Sequence, residues 1–192
     1  MSSHHIVREN QEPALLIEDL FLIDEEDLGQ LLEWSPTIVI EEETTDLLVA
    51  RGYKFDIVFT KNSVNESQEN LKVISYGIDF LKAAIEYLIA HNYKAVNIIT
   101  TQLNIDCYRA YLEEINIVLF SKGVRYYFVT TGFTKWKPAG ERIQIEKVDV
   151  KEMIANKGLI KISENEYEVE KDGLFVLEFS HTKYILIGEK IA

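Results

Sequence analysis

Between residues 13 and 121, short apolar runs rich in β-branched side chains alternate with segments of helical spacing. Strand, helix, strand in that order is how an open α/β sheet is laid down, because a crossover must join each parallel strand to the next. The runs at 14–17, 37–40, 55–59, 71–74, 95–99 and 115–120 read as strands. The run at 37–40 has no polar alternation, the mark of a parallel strand buried on both faces. Helices are expected at 25–34, with Leu28, Leu31, Leu32 and Trp34 at helical spacing, and at 45–51, with Gly52 as the cap. A third spans 78–91, with Phe80, Leu81, Ala84, Ile85, Leu88 and Ile89 on one face, and a fourth 104–114. Residues 1–12 read as a polar arm and 60–70 as a mobile polar loop.

The period changes after about residue 122. Runs at 124–130, 142–148, 159–162, 167–169, 174–179 and 184–187 are short and bounded by turns, and several alternate apolar with polar. That pattern is antiparallel β with one wet face. Lys171-Asp172-Gly173 reads as a hairpin-type turn. The expected organisation is therefore an arm at 1–12, an open, mostly parallel α/β domain at 13–121, and a small antiparallel β domain at 122–192.

Composition narrows the function. The 192 residues carry 20 basic and 32 acidic side chains, a net charge of −12. A nucleic-acid or anionic-membrane partner needs a basic footprint, so neither is expected. No run is apolar enough to span a bilayer and no leader is visible, which with the single cysteine, Cys107, points to the reducing cytoplasm. Cys107 has no His near it in sequence and reads as a buried or idle thiol. The four histidines show no metal-ligand spacing.

In an open α/β sheet, ligands and chemistry gather at the carboxyl ends of the strands. The loop after the third strand is Thr60-Lys61-Asn62-Ser63. A phosphate-handling loop would want Gly for close backbone approach and carboxylates for Mg²⁺; this one offers a lysine and an asparagine. The acids that would still converge near strand ends are Glu41, Glu42, Asp56, Asp79 and Asp106. Asp56 also suits a structural role, satisfying loop backbone. Lys61 suits a direct phosphate contact as a point charge. Tyr126, Tyr127, Phe128, Phe133 and Trp136 suit a core, an interface or stacking on a flat ligand.

The order of elements and several stretches resemble thiamine pyrophosphokinases (thiamine diphosphokinases), most closely the variety of Bacteroidetes-type bacteria. Those stretches include Gln11-Glu12-Pro13-Ala14-Leu15-Leu16-Ile17, residues 28–36, Gly52-Tyr53-Lys54-Phe55-Asp56, residues 84–89 and 95–98, Lys135-Trp136 and Ala139-Gly140. The resemblance implies a Rossmann-like nucleotide-binding domain followed by a β-sandwich, in a homodimer whose active sites are shared between subunits.

The motifs of that family are degenerate here. Its small Gly turn after strand one is Glu18-Asp19-Leu20-Phe21, and its Asp-Gly after strand two is Glu42-Glu43. Its Gly-Asp-x-Asp, which holds Mg²⁺ and the triphosphate, falls on residues 60–63. Its Thr-Asp opening the long helix falls on Asp79-Phe80. Its loop of Gly, Arg and Asp-His falls on 101–107, where Asp106 alone matches, after a one-residue shift. Its Ser-Asn thiamine loop has no counterpart, and residues 149–157 replace a longer segment. Lys61 puts a cation where an anion would hold one, and phosphoryl chemistry is mostly positioning and charge stabilisation.

The leading expectation is thus a thiamine pyrophosphokinase-like pseudoenzyme, a dimeric binding or interaction module needing no cofactor. One alternative is a divergent working enzyme using Mg²⁺ and ATP, with relocated acids as ligands. Another is a non-catalytic sensor of a thiamine-like or nucleotide ligand, with Lys61 and Trp136 as binding residues.

Overall fold

A computed structural model describes residues 12–35, 37–62, 71–146 and 153–191, with the backbone alone at 153–156. The chain divides into two compact units, residues 1–101 with 111–117, and residues 102–110 with 118–192. The expected arm and most of the expected loop at 60–70 lie outside the described residues.

The first unit is an α/β layer. Its strands are β1 (Ala14–Ile17), β2 (Ile38–Glu41), β3 (Ile57–Thr60), β4 (Lys72–Ser75) and β5 (Ala95–Ile99), with helices α1 (Glu25–Trp34), α2 (Thr45–Ala50) and α3 (Phe80–Ala90). The strands lie in the order β5-β1-β2-β3-β4, and every pair is parallel. Central strands β1 and β3 are buried along their whole length, as the unbroken apolar runs require. Asp24 caps α1 by accepting from Asp27 N at 2.9 Å. After α2 the chain turns through Gly52 at φ 74°, a conformation glycine adopts without steric cost, and Tyr53 N reaches back to Leu48 O at 3.0 Å. Phe59 of β3 meets Phe80 and Tyr87 of α3 edge to face, with ring centroids 5.7 and 6.0 Å apart.

Two expectations fail here. Trp34, placed on the apolar face of α1, is 71% exposed, and Leu28 is the helix's fully buried residue. The helix expected at 104–114 is only a 3-10 turn, Ile105–Cys107, followed by further turns. Asn104 accepts from Asp106 N at 3.2 Å, and the Tyr108 hydroxyl folds back to Gln102 O at 2.7 Å. Such local bonds compete with the helical ladder. Cys107, within that turn, is exposed, which removes the buried half of the expected buried or idle thiol.

The second unit is antiparallel. After β6 (Asn116–Ser121), which spans the division, come β7 (Val124–Val129), β8 (Phe133–Lys137), β9 (Arg142–Glu146), β10 (Met153–Lys157), β11 (Leu159–Lys161), β12 (Glu166–Val169), β13 (Gly173–Phe179) and β14 (Ile185–Lys190). Strands β11-β12-β9-β14-β7-β6 lie side by side, and β10-β13-β8 form a separate sheet. Phe175, Leu177 and Phe179 of β13 share one buried cluster with Ile143, Ile145, Tyr167, Ile185 and Ile187. The turn at 171–173 is not a hairpin, because β12 and β13 belong to different sheets. Its Asp172 carboxylate accepts from Ala139 N at 2.7 Å instead.

Strands β8 and β10 were not among the expected ones. In β8 Phe133 packs inward against the cluster, but past it the apolar alternation is inverted: Trp136 is exposed, while Lys135 is directed inward onto Glu189 of β14 at 2.6 Å. Glu189 also accepts from Tyr127 OH at 2.8 Å. Burial by itself raises the Glu189 pKa. The bonds from Lys135 and Tyr127 and the charges of Lys135 and Lys137 outweigh it and hold the group below its ordinary 4.5.

Two predictions follow from this packing. A Cβ at Gly188 would stand 2.5 Å from Cε1 of the buried Tyr126 ring, whose hydroxyl is bonded to Gln144 at 2.6 Å. Gly188→Ala should therefore cost roughly 1–3 kcal/mol of overpacking, read as a lowered urea midpoint at unchanged m-value. Glu189 should contribute stability in full above pH about 4.5, and that contribution should decline as pH falls through its lowered folded pKa. Glu189→Gln should cost about 3–5 kcal/mol at pH 7 and flatten the acid limb, compared by denaturant melts from pH 7 to pH 2; parallel acid limbs would refute the assignment.

Candidate functional site

Parallel pairing brings the carboxyl ends of β1 to β5 to one edge of the first unit. Residues at or just past the strand ends are bonded to one another there. Thr60, the last residue of β3, donates its hydroxyl to Glu42 Oε2, and Asn62 Nδ2 reaches the same oxygen at 3.2 Å. Asn62 N donates to Thr60 Oγ1 at 3.0 Å, closing a small ring of bonds. Tyr76, just past β4, donates its hydroxyl to Glu41 Oε1. Thr100, just past β5 and fully buried, donates to Glu18 Oε2 after β1.

Lys61 completes the edge. Its Nζ lies 3.1 Å from Glu41 Oε1, 4.0 Å from Glu43 Oε1 and 5.6 Å from the Tyr76 ring centroid. Hydrogen bonds with Tyr76 and Glu41, then the Glu41 charge, raise its pKa above the ordinary lysine value, so it remains a cation. Burial, then the bond to Glu41, raises the Tyr76 pKa and keeps the phenol protonated as a donor. Beside this edge is an open cleft of about 440 Å³, lined by the acids Glu42, Glu43 and Asp46 and by Val58, Leu71 and Val73. Its lining repels polyphosphate rather than attracting it.

The other sequence candidates are committed to other partners or places. Asp56 sits at the amino end of β3, where its carboxylate accepts from Ile38 N at 2.7 Å. Asp79 is the N-cap of α3, accepting from Lys82 N at 2.9 Å. Asp106 is in the second unit and pairs with Arg109 at 3.1 Å. Trp136 stands on β8, 59% exposed. The structure thus gathers Glu41, Glu42 and Lys61 and leaves Asp56, Asp79, Asp106 and Trp136 in other settings. Tyr76 and the Glu18–Thr100 pair were not foreseen as site residues. Their signal was position alone, directly after a strand.

The sequence matches no protein-family model and no curated protein. Solved structures do match. Thiamin pyrophosphokinase from Candida albicans superposes with a TM-score of 0.66 at 11% identity, over 95% of this chain and 90% of that chain. Thiamine pyrophosphokinase from Bacillus subtilis gives 0.62 at 15% identity, over 93% and 98%, and the yeast enzyme 0.61 at 9%, over 98% and 88%. The chain has the thiamine pyrophosphokinase fold.

That fold implies Mg²⁺ at the edge just described, and the residues present do not fit it. Hard cations need several anionic or neutral oxygens converging from different loops. Here the Lys61 ammonium occupies the approach to Glu41, and one Glu42 oxygen is committed to Thr60 and Asn62. Among the described residues, no three His, Cys, Asp or Glu side chains are grouped to hold a metal ion. Nor, among them, is any helix long and apolar enough to cross a membrane.

The placement of Asp56 predicts a structural phenotype. Asp56→Ala leaves the Ile38 N–H without its acceptor and should lose about 1–3 kcal/mol of stability, with Asp56→Asn losing less. Equilibrium urea unfolding of both variants checks the order.

Proposed function

We propose that this protein is a thiamine pyrophosphokinase-like pseudoenzyme, a homodimeric binding or interaction module of the cytoplasm that does not transfer pyrophosphate. The observation carrying this reading is the 3.1 Å ion pair of Lys61 with Glu41 at the strand edge. Transfer of a pyrophosphoryl group depends on cations clamped to the phosphates by carboxylates and on donors aimed at developing charge. A tethered ammonium that neutralises the carboxylate takes that electrostatic role away from any mobile metal. The acidic cleft beside it disfavours a nucleotide triphosphate further.

The exposed indole of Trp136 supports a second, compatible reading, in which the module binds a thiamine-like ligand without turnover. Trp136 lies opposite Leu174 on β13, itself 63% exposed, and the pair offers an aromatic–aliphatic surface to a flat ring. In this reading the two sheets of the second unit form the β-sandwich that the resemblance implies. The homodimer belongs to the same resemblance.

Purified protein incubated with thiamine and MgATP should form no thiamine diphosphate above a protein-free control, assayed by conversion to fluorescent thiochrome. Sustained formation would restore the reading of a divergent working enzyme with Mg²⁺ and ATP. Thermal melts should be unmoved by ATP, with or without Mg²⁺, whereas a ligand at a hundred times its dissociation constant stabilises by about 2.7 kcal/mol. Light scattering coupled to gel filtration should return twice the chain mass; a monomer would remove the dimer from the proposal.

A further inference from the structure

Glu189 is a buried carboxylate of the second unit with several cationic partners, and the functional reading above leaves it unused. It is 4% exposed. Besides Lys135 and Tyr127, its Oε2 faces Arg125 at 3.6 Å and Lys137 at 3.7 Å. Lys135 Nζ also bonds the Tyr127 hydroxyl at 3.1 Å, and Lys137 bonds Glu141 at 2.7 Å. Burial of apolar surface does not call for such a network. Well-packed hydrophobic residues in place of a buried ion pair are often as stable or more so. What a buried pair can add is the choice of one arrangement over another.

The arrangement at stake is that of β8. Neighbouring residues of a strand project to opposite faces, and a slip of one residue exchanges the two sets. Among the described residues β8 is an edge strand, bonded to β13 alone, so a single ladder holds its register. At the start of β8 apolar burial already turns Phe133 inward, with ring centroids 6.0 Å from those of Tyr127 and Phe175, but at its end burial of the indole would favour Trp136 inward and the flanking lysines out. Lys135 and Lys137 flank Trp136 on either side. Both are drawn inward by the same carboxylate, and the indole between them is thereby directed outward, opposite Leu174.

We propose that Glu189 is a positioning residue: through Lys135 and Lys137 it holds the Trp136 indole outward on β8, against the hydrophobic pull that would bury it. The clamp stands on its own geometry. Its use, presentation of an indole face to a planar ligand, rests on the ligand-binding reading above.

The chain has two tryptophans, so Trp34→Phe leaves Trp136 as the sole indole reporter. In that background the parent should show red-shifted emission open to acrylamide quenching. Glu189→Gln should shift the emission to the blue and reduce quenching as the indole turns inward, while Glu189→Asp keeps the charge and the parent spectrum. Lys135→Ser and Lys137→Ser, whose side chains neither reach Glu189 nor gain from burial, should move the spectrum in the same direction, and they serve as the test should Glu189→Gln not fold. Gly188→Ala is the control for mere destabilisation, with a lowered melting temperature and parent emission. Parent emission and quenching in the folded Glu189 and lysine variants would overturn the clamp. Titration of the parent with thiamine, read by quenching of Trp136, tests the ligand reading separately. A clamp confirmed by the variants with no saturable quenching by thiamine would leave Glu189's positioning role intact and remove thiamine as the ligand.

Discussion

Parallel pairing from β5 through β4 is the constraint on which the rest of the first unit depends. It sends every connection over a face of the sheet and every strand's carboxyl end to the same edge. Whatever side chains follow the strands must therefore coexist within a few ångströms, whether or not they perform chemistry. In this chain they settle among themselves. Hydroxyls from Thr60, Tyr76 and Thr100 each serve a glutamate at or just past the end of another strand, and Lys61 balances Glu41. Among the described residues, this edge is a set of internal hydrogen bonds and one close ion pair.

This arrangement separates what holds the fold from what stands at its strand edge. The sheet is held by residues such as Leu15, Leu16, Val39, Ile40, Phe59 and Ile98, all almost wholly buried. Their contribution scales with apolar area removed from water and tolerates wide substitution so long as volume and pattern are kept. Metal coordination tolerates almost none, because a ligand displaced or neutralised removes the site. The solved structures share the backbone at 9 to 15% identity.

The second unit meets its constraint differently. Its inner faces share a hydrophobic cluster, yet its edge strand β8 carries lysines at inward positions. Those lysines are compatible with burial only because Glu189 arrives from β14, more than fifty residues later, together with the Tyr127 hydroxyl. A lone inward lysine would be among the costliest choices in a strand. The paired arrangement turns the same residues into a register device.

Local periodicity was sufficient to locate β1, α1 and β5 at their observed limits, because their apolar patterns answer to burial within one element and need no partner to be interpreted. The degenerate loop after β3 was equally legible, since the absence of Gly and carboxylates there is a statement about composition. What the sequence could not decide were pairings between distant residues. β8 was hidden because Lys135 looks solvent-facing until Glu189 is brought to it. The segment at 104–114 has helical spacing, but Tyr108 and Asn104 spend their hydrogen bonds on local turns. Asp56 and Glu42 were equal candidates as acids along the chain. Tertiary structure sent one to the amino end of a strand as a backbone acceptor and the other to the carboxyl edge beside Thr60, because in a parallel sheet the end of the strand, not the identity of the acid, determines where its carboxylate can act.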